Sequence, residues 1–222
     1  MVTHNALLIR LLAWVSPAFP IGSYAYSYGL EYAIAQGDVK DRETLCDWIA
    51  SLLGHGSIQL ELVSARAAFR ADTYKDLCAV AQMGCAMASS RERFEETVQQ
   101  GEAFLRAVRV WGFGAELLEE PHLRWPLAVA YGAVFRQAGM DEEMLVLAYV
   151  QGVVNILISV AVRLVPLGQT DGLRALAAME VSMTEAVQMS ATHSLEEAGS
   201  FSPRADLAAM QHETLEMRLF RT

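Results

Sequence analysis

The sequence predicts an all-α protein, a single compact multi-helix domain over residues 1–222 with a central apolar helix and no β-sheet. Three observations carry this. Apolar residues recur at helical spacing along most of the chain, and no segment alternates as a half-buried strand does. All six prolines (Pro17, Pro20, Pro121, Pro126, Pro166 and Pro203) fall at or near the ends of the helices so defined. An interior proline costs about 3 kcal/mol, so that placement supports the assignment.

The elements follow in order. Leu7, Leu8, Leu11, Leu12 and Val15 define a first helix that Pro17 stops. A second is expected over Tyr24–Gln36, ended by Gly37. Asp41 is placed to cap a third through Trp48, Ile49, Leu52 and Leu53, broken or bent at Gly54-His55-Gly56 and continuing towards Phe69. Further helices are expected over Thr73–Ala88, Arg91–Trp111, His122–Ala138, Glu142–Leu164 and Thr170–Ser190. The last opens at Ser202 as N-cap with Pro203 in its first position. Thr192–Ser202 alone reads as a linker.

Composition narrows the function. The chain is 53% hydrophobic and 19% charged, more apolar surface than one ordinary globule needs, which points to buried partner contacts. A net charge of −9 argues against nucleic acid, which requires a basic face. Three cysteines (Cys46, Cys78 and Cys85), without CxxC spacing, fit free thiols in a reducing, cytoplasmic setting. Arg10 interrupts the first apolar stretch, and no signal peptide is read there.

The run Met144–Val162 is long enough to raise a membrane span. Gln151, Asn155, Ser159 and Arg163 recur every fourth residue and draw a polar seam along it, flanked by small Ala148 and Gly152 that permit close approach of another helix. The acidic flank Asp141–Glu143 is wrong for a membrane anchor and right for the positive end of a core helix. A core helix is therefore preferred to a span.

Reactive constellations are weak. Gly22-Ser23 and Gly29 lack P-loop spacing and a lysine. His4, His55, His122, His193 and His212 are scattered, and no metal or cofactor site is expected. The adjacent pair His212-Glu213 diverges by about 100° on a helix, so it reads as a solvated face rather than a small hydrolase's dyad. Two stretches invite a binding role instead. Phe19–Ile34 holds four tyrosines; on the expected helix Tyr24, Tyr28 and Tyr32 form one ridge beside Glu31, either core or interface. The closing Met217–Thr222 sets Leu219 and Phe220 between Arg218 and Arg221, a composition that gains nothing at a chain end unless it docks on a partner or folds back.

Three stretches, in order, resemble one family: "SPAFPIGSYAYSYGLE" (Ser16 to Glu31), "VRLVPLGQTDG" (Val162 to Gly172) and "SPRADLAAMQHETLEMRLFRT" (Ser202 to Thr222) are similar to the urease accessory protein UreF. The resemblance covers essentially the whole chain. It implies an all-helical, dimer-forming assembly factor without a catalytic site, acting in nickel insertion into apo-urease. It also implies partners: the accessory protein UreD/UreH, docked through the tail 203–222, and the nickel-carrying GTPase UreG. Carried residue by residue, it makes Glu31 a candidate for the GTPase-facing surface and places Arg163 and Gln169 in a basic-Leu-Val-Pro-Leu-Gly-Gln motif. Arg218 matches the family's tail-positioning arginine. With Tyr24, Tyr28, His212, Glu213, Leu219, Phe220 and Arg221 these form the expected partner surface. The family usually has a tyrosine where this chain has Glu216, a carboxylate costly to bury unpaired.

Overall fold

A computed structural model describes residues 4–120 and 122–222; Pro121 and the first three residues, which entered the sequence reading, lie outside the described residues. The chain is helical as expected, with no strand among the described residues. Helix α1 (His4–Trp14) ends with Trp14 fully buried against Phe104, Trp111, Phe113 and Phe135.

The next segment departs from expectation. In place of one helix over Tyr24–Gln36, a 3-10 turn (Ser23–Ala25) leads through extended Tyr26 to α2 (Leu30–Ala35). Gly22, Tyr28 and Gly29 all have positive φ, so a right-handed helix cannot run through them. Left-handed backbone at Tyr28 costs roughly 1–2 kcal/mol, and tertiary contacts hold it there. The Tyr28 hydroxyl donates to Glu61 and the Arg93 guanidinium sits 3.4 Å over its ring. A Cβ at Gly29 would fall 2.7 Å from the Ala209 backbone nitrogen, so α2 can meet the last helix only through glycine. The ridge of Tyr24, Tyr28 and Tyr32 therefore does not exist as a helix face.

Asp41 caps α3 (Arg42–Gly54) in a reciprocal box with Thr44, and the break at His55-Gly56 opens α4 (Ser57–Arg70). Thr73 caps α5 (Tyr74–Ala86) and Ser90 caps α6 (Arg91–Val108), whose expected last turn tightens to a 3-10 turn, Arg109–Trp111, before Gly112. Helix α7 (Leu127–Gln137) starts later than expected because Pro126 occupies its N-cap instead of its interior. Helix α8 (Glu142–Leu164) has the expected bounds, capped by Asp141. The helix expected over Thr170–Ser190 is two, α9 (Gln169–Ala178) and α10 (Glu180–Ser190), bent at buried Met179 so that both pack on α3 and α8. Helix α11 (Pro203–Gln211) starts as expected, though the Ser202 hydroxyl pairs with Ser51 instead of capping.

Helices α4, α7 and α8 form the centre. The α4–α7 contact is the most extensive in the chain, and Leu127 to Phe135 are all buried. Gly132 lies at the crossing, where a Cβ would stand 2.3 Å from the Ala65 carbonyl oxygen. Helix α8 is long and apolar enough to cross a membrane, yet it buries Leu145, Val146, Tyr149, Val150, Val153, Val154, Leu157 and Ile158 against α2, α4, α7, α9 and α10. Its polar seam faces outward instead: Gln151 and Arg163 are exposed, Asn155 and Ser159 half-buried, and Leu147 and Ala148 lie beside them.

One ion network pins α8 to α4. Arg66, 2% exposed, reaches Glu142 at 2.6 Å and Glu143 at 2.9 Å, and Arg70 meets Glu142 at 2.6 Å. Burial alone would raise the Glu142 carboxyl, but the Arg70 and Arg66 contacts outweigh it and hold the group below the usual carboxylate value.

Two outcomes follow. Gly132→Ala forces α4 and α7 apart and lowers the unfolding free energy by about 3 kcal/mol, read by urea denaturation. Glu142→Gln costs about 1–3 kcal/mol near neutral pH. A depressed carboxylate stabilises above its unfolded value and loses that contribution as pH falls, so the gap between variant and parent closes in acid.

Candidate functional site: a carboxylate cradle for the chain end

The polar interior of the protein is concentrated between α2, α6 and the segment after α11. Helix α6 brings Glu92, Arg93, Glu96 and Gln100 to its buried side, continuous with Gly101, Phe104, Leu105 and Val108 further along the same stripe. Helix α2 contributes Glu31 in its first turn, where the helix dipole favours a carboxylate. After α11 a 3-10 turn (His212–Thr214) turns the chain back, and residues 215–222 run across all three acids.

Glu31 is the hub. Its Oε1 accepts the Leu219 N–H at 2.7 Å and its Oε2 accepts the Phe220 N–H at 3.0 Å. The fully buried His212 ring lies between two acids, Nε2 2.9 Å from Glu31 Oε2 and Nδ1 2.7 Å from Glu92 Oε2. Arg218 donates to the other Glu92 oxygen at 2.7 Å, and the Thr222 hydroxyl to Glu96 at 2.6 Å. Backbone pairing completes the hold: Arg221 N–H to the Ala25 carbonyl at 2.7 Å and Ser27 N–H to the Thr222 carbonyl at 3.0 Å, which the Ser27 hydroxyl also reaches. The end of the tail alternates like a strand, Phe220 and Thr222 inward, Leu219 and Arg221 outward.

Beneath the tail, Arg93 pairs with Glu96 and, at 2.7 Å, with Glu61, and the Tyr149 hydroxyl donates to Glu61 at 3.0 Å. Burial raises the Glu61 carboxyl despite Arg93, and it lifts the Tyr28 and Tyr149 phenols well above their ordinary value. Burial would weaken the charge on Arg93, but Glu96, Tyr28 and Glu61 around it hold the proton more firmly than usual. Two hollows of about 40 Å³ flank the cluster, one lined by Tyr28, Tyr149 and Gln100, the other by Glu61 and Arg93. Each has room for roughly one or two waters.

The expected partner residues divide by burial. Tyr28, Glu31, His212 and Phe220 are interior and act within the chain. Tyr24, Arg163, Gln169, Glu213, Arg218, Leu219 and Arg221 are exposed. Arg163 lies 5.2 Å from the Tyr24 ring and 5.6 Å from that of Phe220, so the Leu-Val-Pro motif reaches the tail through this cation. Gln169 opens α9 beyond the intervening loop, and Glu213 sits on the rim near Arg91. His212 is not on a solvated helix face. Glu216 is exposed and needs no ion-pair partner. Sequence reasoning missed Ser27, Glu61, Glu92, Arg93, Glu96 and Thr222. The available signal was register: tracing the α6 apolar stripe back from Phe104 lands on Gln100, Glu96 and Arg93. Among the described residues no cluster of three or more His, Cys, Asp or Glu side chains could hold a metal ion.

Such a body, whose interior charges hold its own tail while Met217 (90% exposed) and Leu219 (75% exposed) are turned outward, is all-helical and without a metal-binding cluster among the described residues. The family model for UreF matches residues 39–180. Relatives named urease accessory protein UreF include those of Rhizobium johnstonii (41% identical, covering 97% of this chain and 96% of the relative) and Dinoroseobacter shibae (40%, covering 98% and 99%). That of a Bradyrhizobium species is 42% identical, covering 98% of this chain and 92% of the relative. The chain belongs to the UreF family of urease accessory proteins, a non-catalytic family of urease maturation.

Glu31→Ala removes the shared acceptor of Leu219, Phe220 and His212. It is expected to cost about 3 kcal/mol in urea denaturation, whereas a loss under about 0.5 kcal/mol would mean that the tail is not held there.

Proposed function

We propose that this chain is an assembly chaperone that docks UreD/UreH through α11 and the tail and recruits the GTPase UreG to apo-urease, so that GTP hydrolysis is coupled to nickel insertion. The observation that carries this is the exposed apolar set at the chain end. Leu207 and Met210 lie one turn apart on the outer side of α11, and Met217 and Leu219 project from the tail that follows. Four large apolar side chains project outside the core from α11 and the tail, and a tail anchored by its backbone presents its two at low entropic cost.

Two further surfaces fit the same reading. The open side of α8, with Leu147, Ala148, Gln151, Gly152 and Asn155, suits close approach of a second copy, giving a homodimer within a larger complex. Tyr24 lies against Arg163, which also meets the ring of Phe220, whose N–H Glu31 holds, and this side offers a face to the GTPase, with Gln169 and Glu213 as outer candidates. The proposed setting is the cytoplasm, and nickel is cargo of the assembly.

The test separates docking from folding. Paired Met217→Asp and Leu219→Asp changes leave the cradle intact, so the thermal midpoint of the lone chain stays unchanged. Affinity for UreD/UreH in a titration falls at least about tenfold, as for central apolar anchors. Unchanged affinity would remove the tail from the interface.

A further inference from the structure

We infer that the hollow between α3 and the opening of α11 is a further contact point for the protein that docks on α11 and the tail, and that it takes an arginine side chain from that partner. The inference rests on the docking reading above and names the chemistry at one end of the same surface. Two stripes meet there. Along α3, Thr44, Asp47, Trp48 and Ser51 follow at helical spacing and line one wall. Opposite runs the segment Phe201–Ala205, from which the exposed stripe Pro203, Arg204, Leu207 and Met210 continues along α11. The space between them is about 290 Å³, near the lower limit of roughly 300 Å³ for small-ligand pockets, and it suits one long side chain rather than a helix.

The wall on the α11 side is fixed before anything binds. The Phe201 N–H donates to the His55 carbonyl at 2.6 Å, and the Ser202 and Ser51 hydroxyls pair at 2.7 Å. The segment is thereby pinned to α3 and the turn after it, yet the Phe201 ring is 79% exposed. A large aromatic ring on anchored backbone beside a hollow has the form of an interface anchor, and little entropy is left to lose when it is covered.

Charge selects the occupant. Asp38, Asp47 and Arg204 are the charged residues lining the hollow, and Arg204 is already answered by Asp38 at 2.5 Å. The Asp47 side chain is exposed and forms no ion pair among the described residues. A cation entering the hollow balances Asp47 and meets the Phe201 ring. A guanidinium does both at once, its flat face on the ring and its N–H edge on the carboxylate, which a lysine ammonium does not match. The chain uses the same arrangement inside itself, where Arg93 lies 3.4 Å over the Tyr28 ring and 2.7 Å from Glu61. An acidic side chain in the hollow would be repelled, and an apolar one would cover Asp47 without pairing it.

The test titrates the full-length chain with UreD/UreH. Asp47→Asn and Phe201→Ala are each expected to weaken binding about tenfold, and Asp47→Lys to weaken it further. Phe201→Tyr keeps the parent affinity, and the thermal midpoint of the lone chain is unchanged throughout. Arginines of UreD/UreH are then replaced by glutamine one at a time. One replacement is expected to weaken binding to the parent but not to weaken Asp47→Asn further, the coupling of a direct pair. Unchanged affinity in Asp47→Asn, or no arginine that couples to it, overturns the proposal. Loss of a homodimer by Asp47→Asn in gel filtration would assign the hollow to a second copy and overturn it too. The paired Met217→Asp and Leu219→Asp changes keep the two failures apart. If they weaken binding and Asp47→Asn does not, docking through the tail stands and the arginine contact falls. If only Asp47→Asn weakens binding and couples, the contact stands and the tail leaves the interface.

Discussion

The arrangement depends on the Glu31 carboxylate taking two consecutive backbone N–H groups from the far end of the chain. A side chain could be gripped equally well by many surfaces, but successive amides fix the path of the backbone itself. With Leu219 and Phe220 so held, period-two geometry drives Phe220 in and Leu219 out. The same acid braces His212, which in turn braces Glu92 on α6. Two helices distant in sequence are thereby joined through a tail distant from both. Burying so many charges is unfavourable unless each is answered, and each here has a donor or an opposite charge nearby.

The fold shows how the cradle is kept in place. Tyr28 is forced into left-handed backbone to bring Ser27 against Thr222 and its own ring under Arg93. Gly29 then lets α11 lie against α2 at a distance that no side chain would allow. Local strain and close approach occur at one bend, which is also where the tail docks. Membership of a urease accessory family accords with this economy: the chemistry is that of holding and presenting.

Much of the architecture was legible from local signals. Capping at Asp41, the proline opening α11 and the full extent of α8 were all readable, because caps and long apolar periods are short-range facts. The failures share a cause. The tyrosine stretch has helical spacing, but its conformation is set by contact with residues nearly the whole chain length away, as Ser27 with Thr222 shows. Glu92, Arg93 and Glu96 look like solvated charge, since nothing local says that another segment will cover them. His212 looked surface-bound for the same reason. The family resemblance pointed to Glu31, Arg163 and Arg218, and the structure links them physically through Phe220 and Glu92.

The central claim is that the tail belongs to the folded body before any partner arrives. Amide hydrogen exchange of Leu219 and Phe220 in the isolated chain tests it most directly. The account predicts exchange at least about 100-fold slower than an open chain, comparable to the first turns of α6. Exchange of both amides at the open-chain rate, with the core still protected, would contradict it.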